Sequence, residues 1–165
     1  GLAGEGWQWD GVRFFFLHPT EYFPYLGNEA SCVLVVDSAH GRALLPGDIG
    51  EVVERRLLRD PAPLRAQVVV VGHHGSSGSS SPAFVAATGA RLALVAAGQG
   101  NRFGHPRAEV VQRWREQGAE VLGTPASGAI RVWLDAEGMA VRERRPWRAR
   151  LWDRRPPPSA ADPSS

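Results

Sequence analysis

Three short segments concentrate the side chains able to do chemistry. The first is Gly47-Asp48, a carboxylate placed straight after an apolar run, where a glycine gives the backbone room to turn. Such a carboxylate is a hard oxygen donor that one or two divalent ions can share. The competing reading makes Asp48 the N-cap of the helix that starts at Ile49. The second is Val71-Gly72-His73-His74-Gly75-Ser76-Ser77. Adjacent histidines leave the backbone in roughly opposite directions, so one can ligate a metal while the other bonds to a neighbouring group. Ser76, Ser77 and the run Ser79-Ser80-Ser81 add hydroxyls and amides ahead of a helix start, which suits phosphate. The competing reading is a Gly/Ser-rich connector with two solvent-facing histidines. The third, Gly98 to Pro106, holds Asn101, Arg102 and His105. Arg102 can meet a phosphate and His105 can give a proton to a leaving oxygen, unless the segment merely leads into a helix.

The elements that position these segments follow from periodicity. Val12 to Leu17 reads as a strand, and residues 1–9 as a loop entering it. Thr20 to Glu29 is a loop. Ser31 to Val36 and Arg42 to Leu45 form a hairpin ending at Pro46-Gly47-Asp48. Apolar positions at Ile49, Val52, Val53, Leu57 and Leu58 have helical spacing with an acidic first turn. The four valines Val68 to Val71 are too apolar for a half-exposed strand, so a buried, parallel strand is predicted. Ser81 is the predicted N-cap of a helix with Pro82 at its first position. Leu92 to Ala97 is a second buried strand, Ala108 to Gln117 an amphipathic helix closed by Gly118, and strands follow at 120–122, 129–134 and 139–142. Strands alternating with helices place the chain in the α/β class, where chemistry sits after the C-terminal ends of strands.

Composition sets the limits. At 165 residues, with 43% hydrophobic and 22% charged residues, the chain is one globular domain with a single core. One cysteine, Cys32, excludes a disulfide framework or a thiolate zinc cluster, and its apolar setting predicts a small buried side chain. The formal charge is only +2, and all 19 basic residues are arginines. No run reaches the roughly 18 apolar residues of a membrane span. The chain opens on Gly rather than Met, which predicts a fragment of a longer protein. Residues 1–143 are read as the domain, and 144–165 as an Arg/Trp-rich, then Pro/Ser-rich disordered tail.

Taken jointly, the motifs match a family. Asn28-Glu29-Ala30-Ser31, Leu45-Pro46-Gly47-Asp48, Glu54, Val71 to Ser76, Asn101 to Pro106 and Thr124 to Ile130 occur in that order. The stretch from about Val12 to Val132 resembles the C-terminal metallo-β-lactamase-like domain of the ComEC family of DNA-internalisation competence proteins. The resemblance implies the distal part of an αββα sandwich with a zinc or manganese site at one edge. It implies a parent in the bacterial inner membrane that conducts single-stranded DNA, with this domain facing outward (periplasmic) and degrading the strand not imported. By the same resemblance Asp48 is a bridging metal ligand, His73 or His74 is another, and His105 and Asn28 lie near the site. Arg102 and Asn101 join His105 as catalytic candidates, and Ser76, Ser77 and Asn28 as substrate contacts. The family's first metal-binding loop, His-x-His-x-Asp-His, is missing here: His18 and His40 stand alone. The implied activity, a metal-dependent nuclease or phosphodiesterase, therefore needs ligands beyond these residues, and this chain alone is expected to be inactive. The alternatives are a non-catalytic DNA-binding or assembly module using the arginines after Val141, or a hydrolase of another ester.

Overall fold

The computed structural model describes residues 1–24 and 26–147. Its centre is a seven-stranded mixed sheet: β1 (Gly6–Trp9), β2 (Val12–His18), β3 (Val33–Ser38), β4 (Gly41–Leu45), β5 (Val68–Val70), β6 (Leu92–Val95) and β7 (Glu120–Gly123). Spatial order equals chain order, β1 through β7. The first four strands run antiparallel, and β4 to β7 are parallel. The parallel strands are joined through α1 (Glu51–Leu57), α2 (Pro82–Thr88) and α3 (Ala108–Glu116). Crossovers of one hand that always advance in the same direction put every helix on the same face of the sheet.

Register shows how that face is made. Phe15, Val35, Leu44, Val69, Ala93 and Val121 are successive partners across six strands. All six belong to, or pack on, the core that includes Val53 of α1, Phe84 and Val85 of α2, and Val110 and Trp114 of α3. Trp114 and Phe84 are each 1% exposed. A fully buried aromatic side chain of this kind is worth about 3–5 kcal/mol against alanine, so the helical layer is held chiefly here.

The opposite face is apolar too. The next row is Phe14, Val36, Ala43, Val68 and Leu92. Part of it is covered by the hairpin of β8 (Ile130–Asp135) and β9 (Gly138–Glu143), whose Val132 and Leu134 point inward. Leu134 comes against Gly41, where a side chain would crowd it at 3.2 Å. Towards β1 the face is half-buried, with the Trp7 ring stacked on Phe14 at 4.8 Å. Two short helices complete the described chain, α4 (Thr124–Ser127) and α5 (Arg144–Trp147).

Most sequence-predicted elements are present, and the buried parallel strand at the valine run is among them. Four readings change. Residues 6–9 form a strand, because Trp7 and Trp9 sit opposite Phe14 and Val12 across the Asp10-Gly11 turn. Cys32 is exposed, since β3 begins only at Val33, and its Sγ reaches the Gly1 carbonyl at 3.6 Å. The N-cap of α1 is Gly50, so Asp48 does not cap it. Arg144–Trp147 is a helical turn, with Arg145 donating to the carbonyls of Pro125 and Thr124; the tail from 148 on lies outside the described residues.

Candidate functional site

The C-terminal ends of the four parallel strands lie along one edge, and each ends in a loop that carries part of the site. Three of these loops are tied together by backbone bonds. The His73 amide donates to the Gly47 carbonyl at 3.0 Å, and the Arg107 amide to that of Gly75 at 2.9 Å. Gly75 has φ +82°, and a side chain there would lie 2.7 Å from Cβ of Pro106, so only glycine lets the second and third loops close up.

His73 and His74 are both left-handed, at φ 49° and 55°. Each such non-glycine residue costs about 1–2 kcal/mol, and strain of this kind gathers where side chains must be aimed. The aim is visible. His74 Nδ1 donates to the Ala96 carbonyl at 2.6 Å, which fixes the proton on that nitrogen. In the neutral ring the lone pair is then on Nε2, which faces Asp48 Oδ1 at 3.6 Å. His73 is held differently: the Asn28 amide donates to its Nε2 at 3.2 Å. The His105 ring lies 6.2 Å from that of His73 and nearly parallel to Phe103 at 5.9 Å. Burial holds the His105 imidazole below its ordinary pKa, and Arg107, His73 and His74 push the same way.

The donor set fits a divalent ion in part. Bonds of about 2.0–2.2 Å in a tetrahedral site put two donor atoms roughly 3.4 Å apart, close to the His74–Asp48 separation. A catalytic ion needs about three protein ligands, however. Among the described residues no group of three or more His, Cys, Asp or Glu side chains is arranged to hold a metal.

The remaining predicted residues divide. Asn101 is spent on its own loop: its amide donates to the carbonyls of His105 at 2.6 Å and Gly98 at 3.0 Å, and its oxygen accepts from the His105 amide at 3.0 Å. Arg102 is exposed, its guanidinium 4.8 Å from the centre of the Phe103 ring. Ser76 Oγ accepts from the Gly78 amide at 3.4 Å, and Ser77 is exposed. The amides of Ser80 and Ser81, directly before α2, are already engaged. Ser79 and Ser80 are buried, and the amides of Ser80 and Ser81 donate to the Glu54 carboxylate at 2.5 and 2.8 Å. That carboxylate already fills the anion site at the head of α2. Burial raises the Glu54 pKa, while its bonds to Ser81 and Ser80 pull it back down.

Sequence reasoning included Thr124 to Ile130 in the family match but gave this fourth loop no part in the chemistry. Thr124 Oγ1 donates to the Ala97 carbonyl at 2.8 Å and accepts from the Ala97 amide at 3.0 Å, bracing the wall next to His74. The signal was available, since Thr124 stands directly after the fourth parallel strand. His18, which stands alone in the sequence, is buried, bonded through Nε2 to the Glu29 carbonyl at 2.7 Å and set edge-on to Phe23.

Comparison with known proteins now bears on this edge. No protein-family model matches the chain. It is 36% identical to Competence protein ComA of Neisseria gonorrhoeae over 155 residues, which is 93% of this chain and 22% of that protein. Its kinship is with the ComEC-type competence proteins. Recombination protein 2 of Haemophilus influenzae is 30% identical over 90% of this chain and 19% of its own length. ComE operon protein 3 of Bacillus subtilis is 31% identical over 77% of this chain and 16% of its own length. The chain thus spans about a fifth of these relatives. No helix among the described residues is long and apolar enough to cross a membrane.

Proposed function

We propose that this chain supplies one wall of a divalent-metal-dependent phosphodiesterase site, acting as a nuclease within a DNA-uptake competence protein. The observation that carries the reading is the fixed His74 ring, whose Nε2 is presented to Asp48 from a strained pair of left-handed residues. Asp48 and His74 are the metal donors, for zinc or manganese, and further ligands come from another part of the longer polypeptide. A divalent ion there supplies Lewis acidity toward the phosphodiester. His73, held by Asn28, lines the approach. His105, whose ring lies beside those of His73 and Phe103, is placed to exchange a proton with the leaving oxygen, and Arg102 to meet an outer phosphate, with Ser76 and Ser77 beside them. Asn101 acts by holding the His105 backbone.

The sheet supports a larger architecture in the same way. It is apolar on both faces, yet helices cover only one and a two-stranded hairpin covers part of the other. A second β-layer from the same polypeptide would complete an αββα sandwich of the metallo-β-lactamase type, with the membrane portion of the parent before it and this domain on the outer, periplasmic side.

The test is DNA cleavage by the complete polypeptide with Mn²⁺ or Zn²⁺. Cleavage is expected, and Asp48→Ala should lower it at least 100-fold, with His74→Ala close behind. Intact single- and double-stranded DNA with either ion would sink the enzyme reading and leave a DNA-binding or assembly module.

A further inference from the structure

Beside His74 the edge opens into a cavity of about 280 Å³, lined by Ala96, Ala97, Gly98, Asn101, Phe103 and His105 as well as by His74 itself. We propose that this cavity is a nucleobase subsite, in which Phe103 stacks on one base of the DNA strand whose phosphodiester lies at Asp48 and His74. The proposal rests on the DNA reading above and adds to it what the site holds besides phosphate.

The walls select the guest. The Ala96 carbonyl is taken by His74, both backbone polar groups of Ala97 by Thr124, and the Gly98 carbonyl by Asn101. The Asn101 carboxamide is spent on the His105 backbone. With those groups satisfied internally, the lining offers methyl groups, backbone and aromatic rings, which a charged phosphate does not prefer but a flat heterocycle does. The volume lies just under the range of drug-sized pockets and suits a single ring system.

Phe103 stands at the mouth, 57% exposed, while Asn101 and His105 on either side of it are half-buried. A lone exposed apolar residue is ordinary. This one is ordered by two neighbours: its ring lies 14° from the plane of the His105 ring, and the Arg102 guanidinium is 4.8 Å from its centre. The result is an aromatic surface with a cation over one face, and it lines the same cavity as His74. Stacking on an aromatic ring tolerates any base, because every base has a π-face. The subsite should therefore sense that a base is present more than which base it is.

The experiment compares two labelled oligonucleotides of equal length and charge, oligothymidylate and its abasic counterpart, by fluorescence anisotropy with the full chain. Oligothymidylate should bind about tenfold tighter or more. Phe103→Ala should remove that advantage and leave abasic affinity unchanged, while Phe103→Trp should keep it. Equal binding of the two oligonucleotides overturns the proposal, as does no measurable binding of either. A Phe103→Ala variant that weakens both equally also overturns it, since that marks a phosphate contact or a fold defect. Failure here is separable from failure of the nuclease reading. A protein that discriminates bases but never cleaves DNA loses the enzyme and retains the subsite.

Discussion

The two ends of the parallel strands make opposite use of the same sheet. At the N-terminal end a cavity of about 490 Å³ is lined by Asp37, His40, Arg42, Arg65, Gln67 and Arg91. Asp37 there pairs with Arg13 at 2.8 Å and Arg42 at 3.0 Å, and the lining residues have ordinary backbones apart from Gly89. At the C-terminal end the cavity is smaller, but three non-glycine residues between 73 and 80 are left-handed, and the Ala96 carbonyl and the Asn28 amide hold the two histidine rings among them. The larger hollow is a gap beside the half-buried Asp37–Arg42 ion pair. The smaller one is built at a cost in backbone strain, and that cost distinguishes a site from a crevice.

Perturbing each end tests this contrast. The greatest loss of stability should come from Glu54→Ala, which leaves the buried amides of Ser80 and Ser81 without an acceptor. About 3 kcal/mol is expected, read as a lower urea midpoint. Gly75→Ala should cost about 2 kcal/mol, because it combines a positive φ with a contact on Pro106. Should it unfold no more readily than the parent, the close approach of the second and third loops is not what holds the edge. At the other end Asp37→Ala removes two ion pairs yet should cost only about 1 kcal/mol, since both are near the surface. A loss as large as that of Glu54→Ala would erase the contrast.

The mildest effect is one of pH. Burial, reinforced by Arg56, lowers the His18 pKa against the opposing pull of the Glu29 carbonyl. The unfolded chain therefore takes up the proton first as pH falls. The contribution is complete above the unfolded value of about 6.5 and is lost as pH drops toward the folded one. Urea midpoints at pH 7.5 and 5.5 should differ more for the parent than for His18→Gln, and identical slopes would remove His18 as the cause.

Much of this was legible in the residues because local rules and tertiary structure agree. Four consecutive valines favour a buried strand, and loops after such strands are where donors gather, so Asp48, the His73-His74 pair and His105 could be named as candidates from the sequence. The division of labour within the His pair was not legible. It depends on the Ala96 carbonyl and the Asn28 amide, which are brought in from loops distant along the chain. The serines before α2 misled for a related reason: they have phosphate-binding amides, but Glu54 reaches them first from another helix. Cys32 and β1 were misread at element boundaries, where one residue decides whether a side chain is inside a strand.

The order of the strands has a consequence for how the chain reaches this state. Because each strand pairs with its immediate predecessor, no gap must be held open for a segment still to come. Each pairing closes only a hairpin or a single crossover, so the entropy of loop closure is met in small instalments, a pattern associated with faster folding. The sheet can grow from β1 as the polypeptide emerges. Its working edge is finished last, when Thr124 arrives behind β7 and locks the wall that holds His74.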